Sequence, residues 1–320
     1  MAKKQTASGK AEPDIVIFGA SGQLGMELVS QLTLERTVPR AREMLDITDH
    51  DAVEELIVSV KPKLVINAAA TNPWRSTSIF KPKHWQVNAF AVDNLVKTCA
   101  LNGAALLHLS TSDVFNQTSP FRPHVELSPV SPVGEYAASK AAGEHAILAL
   151  SQYPAAEFVN FQYWIVRTSL LYGRPVMLHH NPVHMKLEQA LRSRTPVKLP
   201  TSVMRSATYV PHLVKHLMWL IDNYQDIPSG IYNIACKGEV SLHDLICEAR
   251  RQVDTKSMLP IYECTKSEFA ASEPFTADEI PNNGLLDCTR WEEICPVPLY
   301  HWQDALTEFC DEYKSRNLTT

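Results

Sequence analysis

No stretch of this chain approaches the ~18 consecutive apolar residues that would read as a membrane span. Its 320 residues contain no internal repeat and, past an N-terminal tail, no low-complexity block. An excess of charge of one sign is also missing: 30 Lys and Arg face 35 Asp and Glu, a net charge of −5. That balance gives no reason to expect a nucleic acid or an anionic membrane as partner. The 7 cysteines (99, 236, 247, 264, 288, 295 and 310) are scattered, and none forms Cys-x-x-Cys. Neither a zinc ribbon nor a disulfide framework is suggested, and a reducing, cytoplasmic setting fits best. The opening "MAKKQTASGKAEP" is basic but has no apolar core, so it is not a secretory signal. Residues 1–12 read as a disordered tail.

What is present is an ordinary globular composition, 45% hydrophobic and 20% charged. The length suits about two domains. From residue 14 short apolar runs alternate with amphipathic segments. "DIVIFGA", "KLVINAAA", "ALLHLSTSDVF" and "YWIVRTSLLYG" read as strands. "QLGMELVSQL", "DAVEELIVSV", "WQVNAFAVDNLVKTCALNG" and "EYAASKAAGEHAILAL" read as helices between them. Continuously apolar strands alternating with helices predict a parallel sheet covered on both faces, a doubly wound Rossmann-type α/β fold. After Gly173 the rhythm changes. Two more helices are expected, "EVSLHDLICEARRQV", with Ser241 and Asp244 as a capping box, and a closing "YHWQDALTEFCDEY". Residues 13–172 are therefore expected to form the dinucleotide-binding domain. Residues 173–320 are expected to form mainly a smaller α/β substrate lobe, with some chain returning to the main sheet.

Gly19, Gly22 and Gly25 follow a strand and open a helix, in "IVIFGASGQLGMEL". Glycines there permit a tight turn and close approach of backbone to a pyrophosphate seated on the helix N-terminus. A plain turn would also explain them. A ribose-binding carboxylate is expected ~20 residues further on, and Asp46 in "LDIT" lies at about that distance. "LDIT" reads as a strand end that aims this carboxylate at the adenine. Arg40 and Arg42 precede it in "TVPRARE", with no acid before Glu43, which suits a ribose 2′-phosphate and favours NADP(H) over NAD(H). Solvated loop charges are the bland alternative.

Tyr136 and Lys140 are spaced i, i+4 among small residues, so they share a helix face. A cation there can draw the phenol pKa down and make the tyrosine a general acid for a carbonyl receiving hydride. An ordinary Tyr/Lys pair is the alternative, but Ser110, Thr111 and Ser112 end an upstream strand. Their hydroxyls should arrive near the nicotinamide and orient a substrate carbonyl.

These stretches, with "VN" at 87–88, "RTSLLYG" and "LDCTRW", resemble the extended short-chain dehydrogenase/reductases. Within that superfamily the chain is most similar to the dTDP-4-dehydrorhamnose reductases and their relatives. The resemblance runs from residue 15 to about 291. It implies Thr111, Tyr136 and Lys140 as the catalytic set, with Tyr136 protonating the sugar 4-oxygen. It implies a cofactor held by Gly19, Ser21, Gly22, Gln23, Leu24 and Gly25, by Arg42, Asp46 and Ile47, and by Ala68, Ala69, Ala70, Asn88 and Lys140. Asn88 would also support the lysine. The implied partner is a nucleotide-sugar substrate; a homodimer is compatible with the resemblance.

The departures lie where substrate is expected. S-T-D-Y-V-F is "STSDVF" here, R-T-S-W is "RTSLL", and an Arg-Pro is Ile280–Pro281. Ser112, Asp113 and Arg205 are the candidate substrate contacts, Arg205 through a diphosphate. The Ser112–Asp113 pair also admits a sugar-nucleotide dehydratase, decarboxylase or epimerase that recycles its cofactor. A non-catalytic regulatory subunit resembling the methionine adenosyltransferase β subunit is a third reading. His179, His180 and His184 cluster without an acid and do not suggest a metal. Trp74 and Trp85 read as core or lid packing.

Overall fold

Apolar runs that can be buried on both faces become parallel strands, and the first half of this chain is built that way. In the computed structural model the described residues are 13–72, 82–116, 122–153, 160–174, 182–192, 196–253, 259–273 and 275–317. β1 (Ile15–Phe18), β3 (Leu64–Asn67) and β4 (Ala105–Thr111) are buried at every position. With β2 (Thr37–Arg40), β5 (Tyr163–Thr168) and β10 (Gly230–Asn233) they form a six-stranded sheet in the order β10-β5-β4-β3-β1-β2. All its pairings are parallel. From β1 the chain winds outward in both directions, so the carboxyl ends of β1 and β3 flank a switch point, where ligands bind in open α/β sheets.

The period-2 alternation of each strand divides the core. Ile15, Ile17, Leu64 and Ile66 point to one face and pack with α1 (Gln23–Gln31) and α7 (Val210–Asn223). Val16, Phe18 and Val65 point to the other and pack with α2 (His50–Val60), α4 (Ala91–Leu101) and α5 (Gly134–Ser151). Asp49 caps α2 by accepting the Ala52 N–H, a contact worth about 1 kcal/mol.

A second core gathers α6 (Pro182–Arg192), α8 (Leu242–Val253) and α11 (Trp302–Asn317). Around it lie β7 (Val197–Pro200) paired with β12 (Ile261–Cys264), and a small sheet of β11 (Val240–Ser241), β8 (Met204–Arg205) and β13 (Asn283–Gly284). β6 (Leu171–Tyr172) pairs with β9 (Thr208–Tyr209). The short helices α3 (Pro82–Trp85), α9 (Lys266–Ala270) and α10 (Thr289–Glu292) complete the described elements. No helix among the described residues is long and apolar enough to cross a membrane.

Several expected elements come out differently. The helix expected from residue 85 is divided: α3 runs into a π-helical turn, Gln86–Phe90, before α4 begins. That turn meets α5 closely, since a Cβ on Gly143 would stand 2.3 Å from the Asn88 carbonyl oxygen. β4 stops at Thr111, whose Oγ1 accepts the Asp113 N–H at 3.1 Å and starts a 3-10 turn, Ser112–Val114. β5 stops at Thr168; Leu170 then takes φ 35°, and β6 leaves the main sheet. "LDIT" is a turn and not a strand end. Ser241 does cap α8, accepting the Asp244 N–H at 3.0 Å, but the Asp244 carboxylate bonds the Ser241 hydroxyl and not its backbone.

Candidate active site

The β1–α1 turn is shaped for close approach. Gly19 has φ 79°, and a Cβ there would stand 2.5 Å from the Ala69 nitrogen in the loop after β3. A Cβ on Gly25 would stand 2.1 Å from the Gly19 carbonyl oxygen. Only glycine lets strand, turn and helix meet at these distances, and the first N–H groups of α1 then face outward past Ser21, Gly22, Gln23 and Leu24. Ala68, Ala69 and Ala70 form the opposite wall, small enough for a dinucleotide to lie along it.

Arg40 ends β2 beside this turn; its carbonyl accepts the N–H groups of Gly19 and Ala20 at 3.1 and 3.2 Å. Arg42 is committed elsewhere, its Nε donating to Asp46 Oδ2 at 3.1 Å. Asp46 also accepts the Thr48 N–H and hydroxyl. Burial would raise its pKa, but those bonds and Arg42 hold the carboxyl below its ordinary range. The carboxylate expected to face the adenine is thus held in its own turn by Thr48 and Arg42, and Ile47 beside it is buried. The Arg40 side chain donates from Nη1 to the Pro39 carbonyl at 3.1 Å.

Asn88, fully buried in the π-turn, joins two walls. Its Oδ1 accepts the Thr71 N–H at 3.1 Å, and its Nδ2 donates to the Thr71 carbonyl and to Ser139 Oγ. It therefore fixes the loop after β3 to α5, and none of these bonds goes to Lys140. His84 of α3 lies beside the site too, its ring 5.9 Å from the Tyr136 ring and its Nδ1 2.8 Å from Thr71 Oγ1.

Tyr136, Thr111 and Asp113 meet where β4 hands over to its 3-10 turn. The lysine was expected to draw the phenol pKa down, but here the pKa is raised. Burial is the main cause, and the Asp113 charge adds to it, against a hydrogen bond with Thr111. Lys140 is 2% exposed, and its Nζ donates to the Leu109 carbonyl at 2.6 Å and lies 3.2 Å from His108 Nε2. Burial brings its pKa to about 8, against the charge of Glu144. Ser110 does not reach the ligand space either; its hydroxyl donates to Glu144 Oε1 at 2.5 Å. Glu144 in turn pairs with Arg167 at 2.6 Å, both almost fully buried. This ion pair bolts α5 to β5 beneath the site, where loss of one partner typically costs about 3–5 kcal/mol.

On the opposite rim, Asp113 lies 3.7 Å from Arg205 of β8. Burial pushes the Asp113 carboxyl up while Arg205 opposes it. Ser112 Oγ is buried and has no hydrogen-bond partner among the described residues. Gly284 of β13 closes this corner, since a Cβ there would meet Arg205 Cδ at 2.7 Å and Ser112 Oγ at 2.8 Å. Sequence reasoning missed His84, His108, Glu144, Arg167 and Gly284. A signal existed for two contacts: His108 and Ser110 are polar residues at i, i+2 on one face of an apolar strand, matching Lys140 and Glu144 at i, i+4 on a helix.

His184, on α6, packs by its ring against Phe309 and Tyr313 in the second core. No group of three or more metal-ligating side chains occurs among the described residues. His179, His180 and Trp74 lie outside the described residues. Trp85 lines an apolar groove of about 710 Å³ between α4 and α5, away from the glycine turn.

A six-stranded doubly wound sheet, a glycine turn at its switch point and a Tyr/Lys pair on the facing helix define a short-chain dehydrogenase/reductase fold. The chain belongs to the family described as the RmlD substrate binding domain, which matches residues 13–315. It is 30% identical over 301 residues to a dTDP-4-dehydrorhamnose reductase of Streptomyces griseus, covering 92% of each chain. It is 27% identical over 294 residues to the methionine adenosyltransferase 2 subunit beta of Xenopus tropicalis, covering 87% of this chain and 81% of that one. Among solved structures, a dTDP-4-dehydrorhamnose reductase of Bacillus anthracis in complex with NADP superposes with TM-score 0.78 at 25% identity, covering 93% of this chain and 98% of that one.

Proposed function

We propose that this protein is an NADP(H)-dependent reductase of a dTDP-4-keto-6-deoxy sugar. The observation that carries the reading is the meeting of Tyr136 and Thr111 at the carboxyl end of β4, on the same side of the sheet as the glycine turn of a reductase family. The residues present suit the dinucleotide: Gly19 and Gly25 let the turn pack directly on the loop after β3 and on α1, where a Cβ would strike backbone, and Arg40 stands at the end of β2 beside that turn. The cofactor contributes the hydride.

This chain's own residues do the rest. Thr111 orients the 4-carbonyl by a hydrogen bond from its hydroxyl. Tyr136 gives its phenolic proton to the oxygen that becomes the alcohol. The raised pKa keeps the phenol protonated but works against its release, and an ammonium on Lys140, present below about pH 8, offsets this by stabilising the phenolate left behind. Asp113 accepts hydrogen bonds from sugar hydroxyls, and Arg205 neutralises the diphosphate. NADPH oxidation supplied with dTDP-4-keto sugars tests the reading, and absence of turnover on all of them sinks it.

The Xenopus relative motivates a second reading, a dinucleotide-binding regulatory subunit. NADPH binding without sugar turnover, together with a stoichiometric complex with a methionine adenosyltransferase catalytic subunit, would favour it.

A further inference from the structure

His108 and Asn67 are fully buried beneath the Tyr/Lys pair, and neither has a place in the proposed reaction. Their bonds form a chain whose proton positions can be worked out. Asn67 Oδ1 accepts the Ala69 N–H at 3.1 Å, which fixes the amide: a backbone N–H can only donate. Asn67 Nδ2 therefore faces His108 Nδ1, at 3.2 Å, and it too can only donate. Nδ1 must then present its lone pair, and a neutral imidazole carries its single proton on Nε2. That Nε2–H points at Lys140 Nζ, 3.2 Å away. An ammonium has three donors and no acceptor, so it would meet a donor with a donor. A neutral amine fits both contacts, accepting from His108 and donating to the Leu109 carbonyl at 2.6 Å.

We propose that His108 is a positioning residue that biases Lys140 towards the neutral amine, through an Nε2–H fixed in place by Asn67. Conversion of Lys140 to ammonium then requires His108 to move its proton to Nδ1. The Asn67 amide must rotate to accept it and must release the Ala69 N–H. Ala69 belongs to the loop packed on Gly19, so the lysine's charge is linked to the wall of the dinucleotide cleft. The charged groups around Lys140 are Glu144 in α5, already paired with Arg167 of β5, and Asp113 beside Tyr136. Burial depresses the pKa of both His108 and Lys140, and each direction agrees with a pair that is uncharged above about pH 8.

The inference rests on the catalytic reading for its consequence but not for its test. Nitrogen NMR of the full chain with labelled histidine reports the tautomer directly, with the His108 signals assigned by their loss in His108→Gln. A neutral ring protonated on Nε2 at pH 8.5, roughly half a unit above the lysine's titration, is the expected result. A proton on Nδ1, or an imidazolium, overturns the proposal. A second readout uses the pH profile of the reductase rate, which should fall as pH rises through about 8, where Lys140 loses its proton. His108→Leu removes the donor that favours the amine, so this alkaline limb should move up by about one pH unit. A variant that merely loosened the fold would lose rate at every pH without moving the limb, and that result also overturns the proposal. If no sugar nucleotide is turned over, the proposed reaction fails while the tautomer still decides this inference.

Discussion

Along the carboxyl edge of the sheet, the cofactor side and the sugar side are held by different means. The β1–α1 turn and the loop after β3 are fixed by backbone approaching backbone, with Gly19 and Gly25 standing where any side chain would collide. The side proposed to take the sugar is assembled from side chains carried by separate segments: Asp113 after β4, Arg205 on β8, and Gly284 on β13 clearing room between them. A backbone-built subsite tolerates little change and serves a ligand of constant shape. A subsite built from charges on several segments can be re-specified one residue at a time.

Substitutions on the two sides should therefore fail differently. The largest effect is expected at the shared centre: Tyr136→Phe should lower kcat by about 10²–10⁴-fold. Fluorescence titration should show NADPH binding unchanged. Next is Gly25→Ala on the cofactor side, where the new methyl must displace the Gly19 carbonyl. It should weaken NADPH binding more than about tenfold and cost roughly 1–3 kcal/mol of stability in urea. Loss of sugar affinity with NADPH affinity intact would break the comparison. Arg40→Ala should reduce the preference for NADPH over NADH by about tenfold, a charge-assisted contact's worth. Arg42→Ala, already spent on Asp46, should change it much less. Asp113→Asn should raise the sugar-nucleotide KM several-fold, about the worth of one hydrogen bond, and leave NADPH binding untouched.

A separate effect concerns stability. The Lys140 pKa is depressed from 10.5 to about 8, so between those values the unfolded chain holds the extra proton. Stability should rise with pH across that window by about 1 kcal/mol per unit. Lys140→Met should remove this slope, read as the difference between two urea-unfolding series.

Range along the chain decides how much could be read from the sequence. Strand and helix periodicity is local, and so are a glycine triplet and an i, i+4 pair; from these came the doubly wound sheet, the turn at Gly19 and the helix bearing Tyr136. "LDIT" was misread as a strand end because the bonds of Asp46 to Thr48 and Arg42 are a matter of turn geometry, which apolar patterning does not reveal. The break after Thr168 was hidden because β6 finds its neighbour, β9, some 37 residues away in sequence, from Leu171 to Thr208. The pKa of Tyr136 was expected to fall because the spacing shows that Lys140 is near. It does not show that the amine turns to Leu109, or that Asp113 and burial dominate. Each miss concerns where a side chain or a strand spends its bonds, which apolar patterning leaves open.

The π-helical turn at Gln86–Phe90 carries one residue more than an α-helical turn would, a geometry found mostly as single turns inside α-helices and often at functional sites. Excising a single residue there would restore an unbroken helix but spin everything upstream by about 100° relative to α4. Asn88 would then swing out of reach of either Thr71 or Ser139, and a shorter, more regular helix would leave the two walls unlatched.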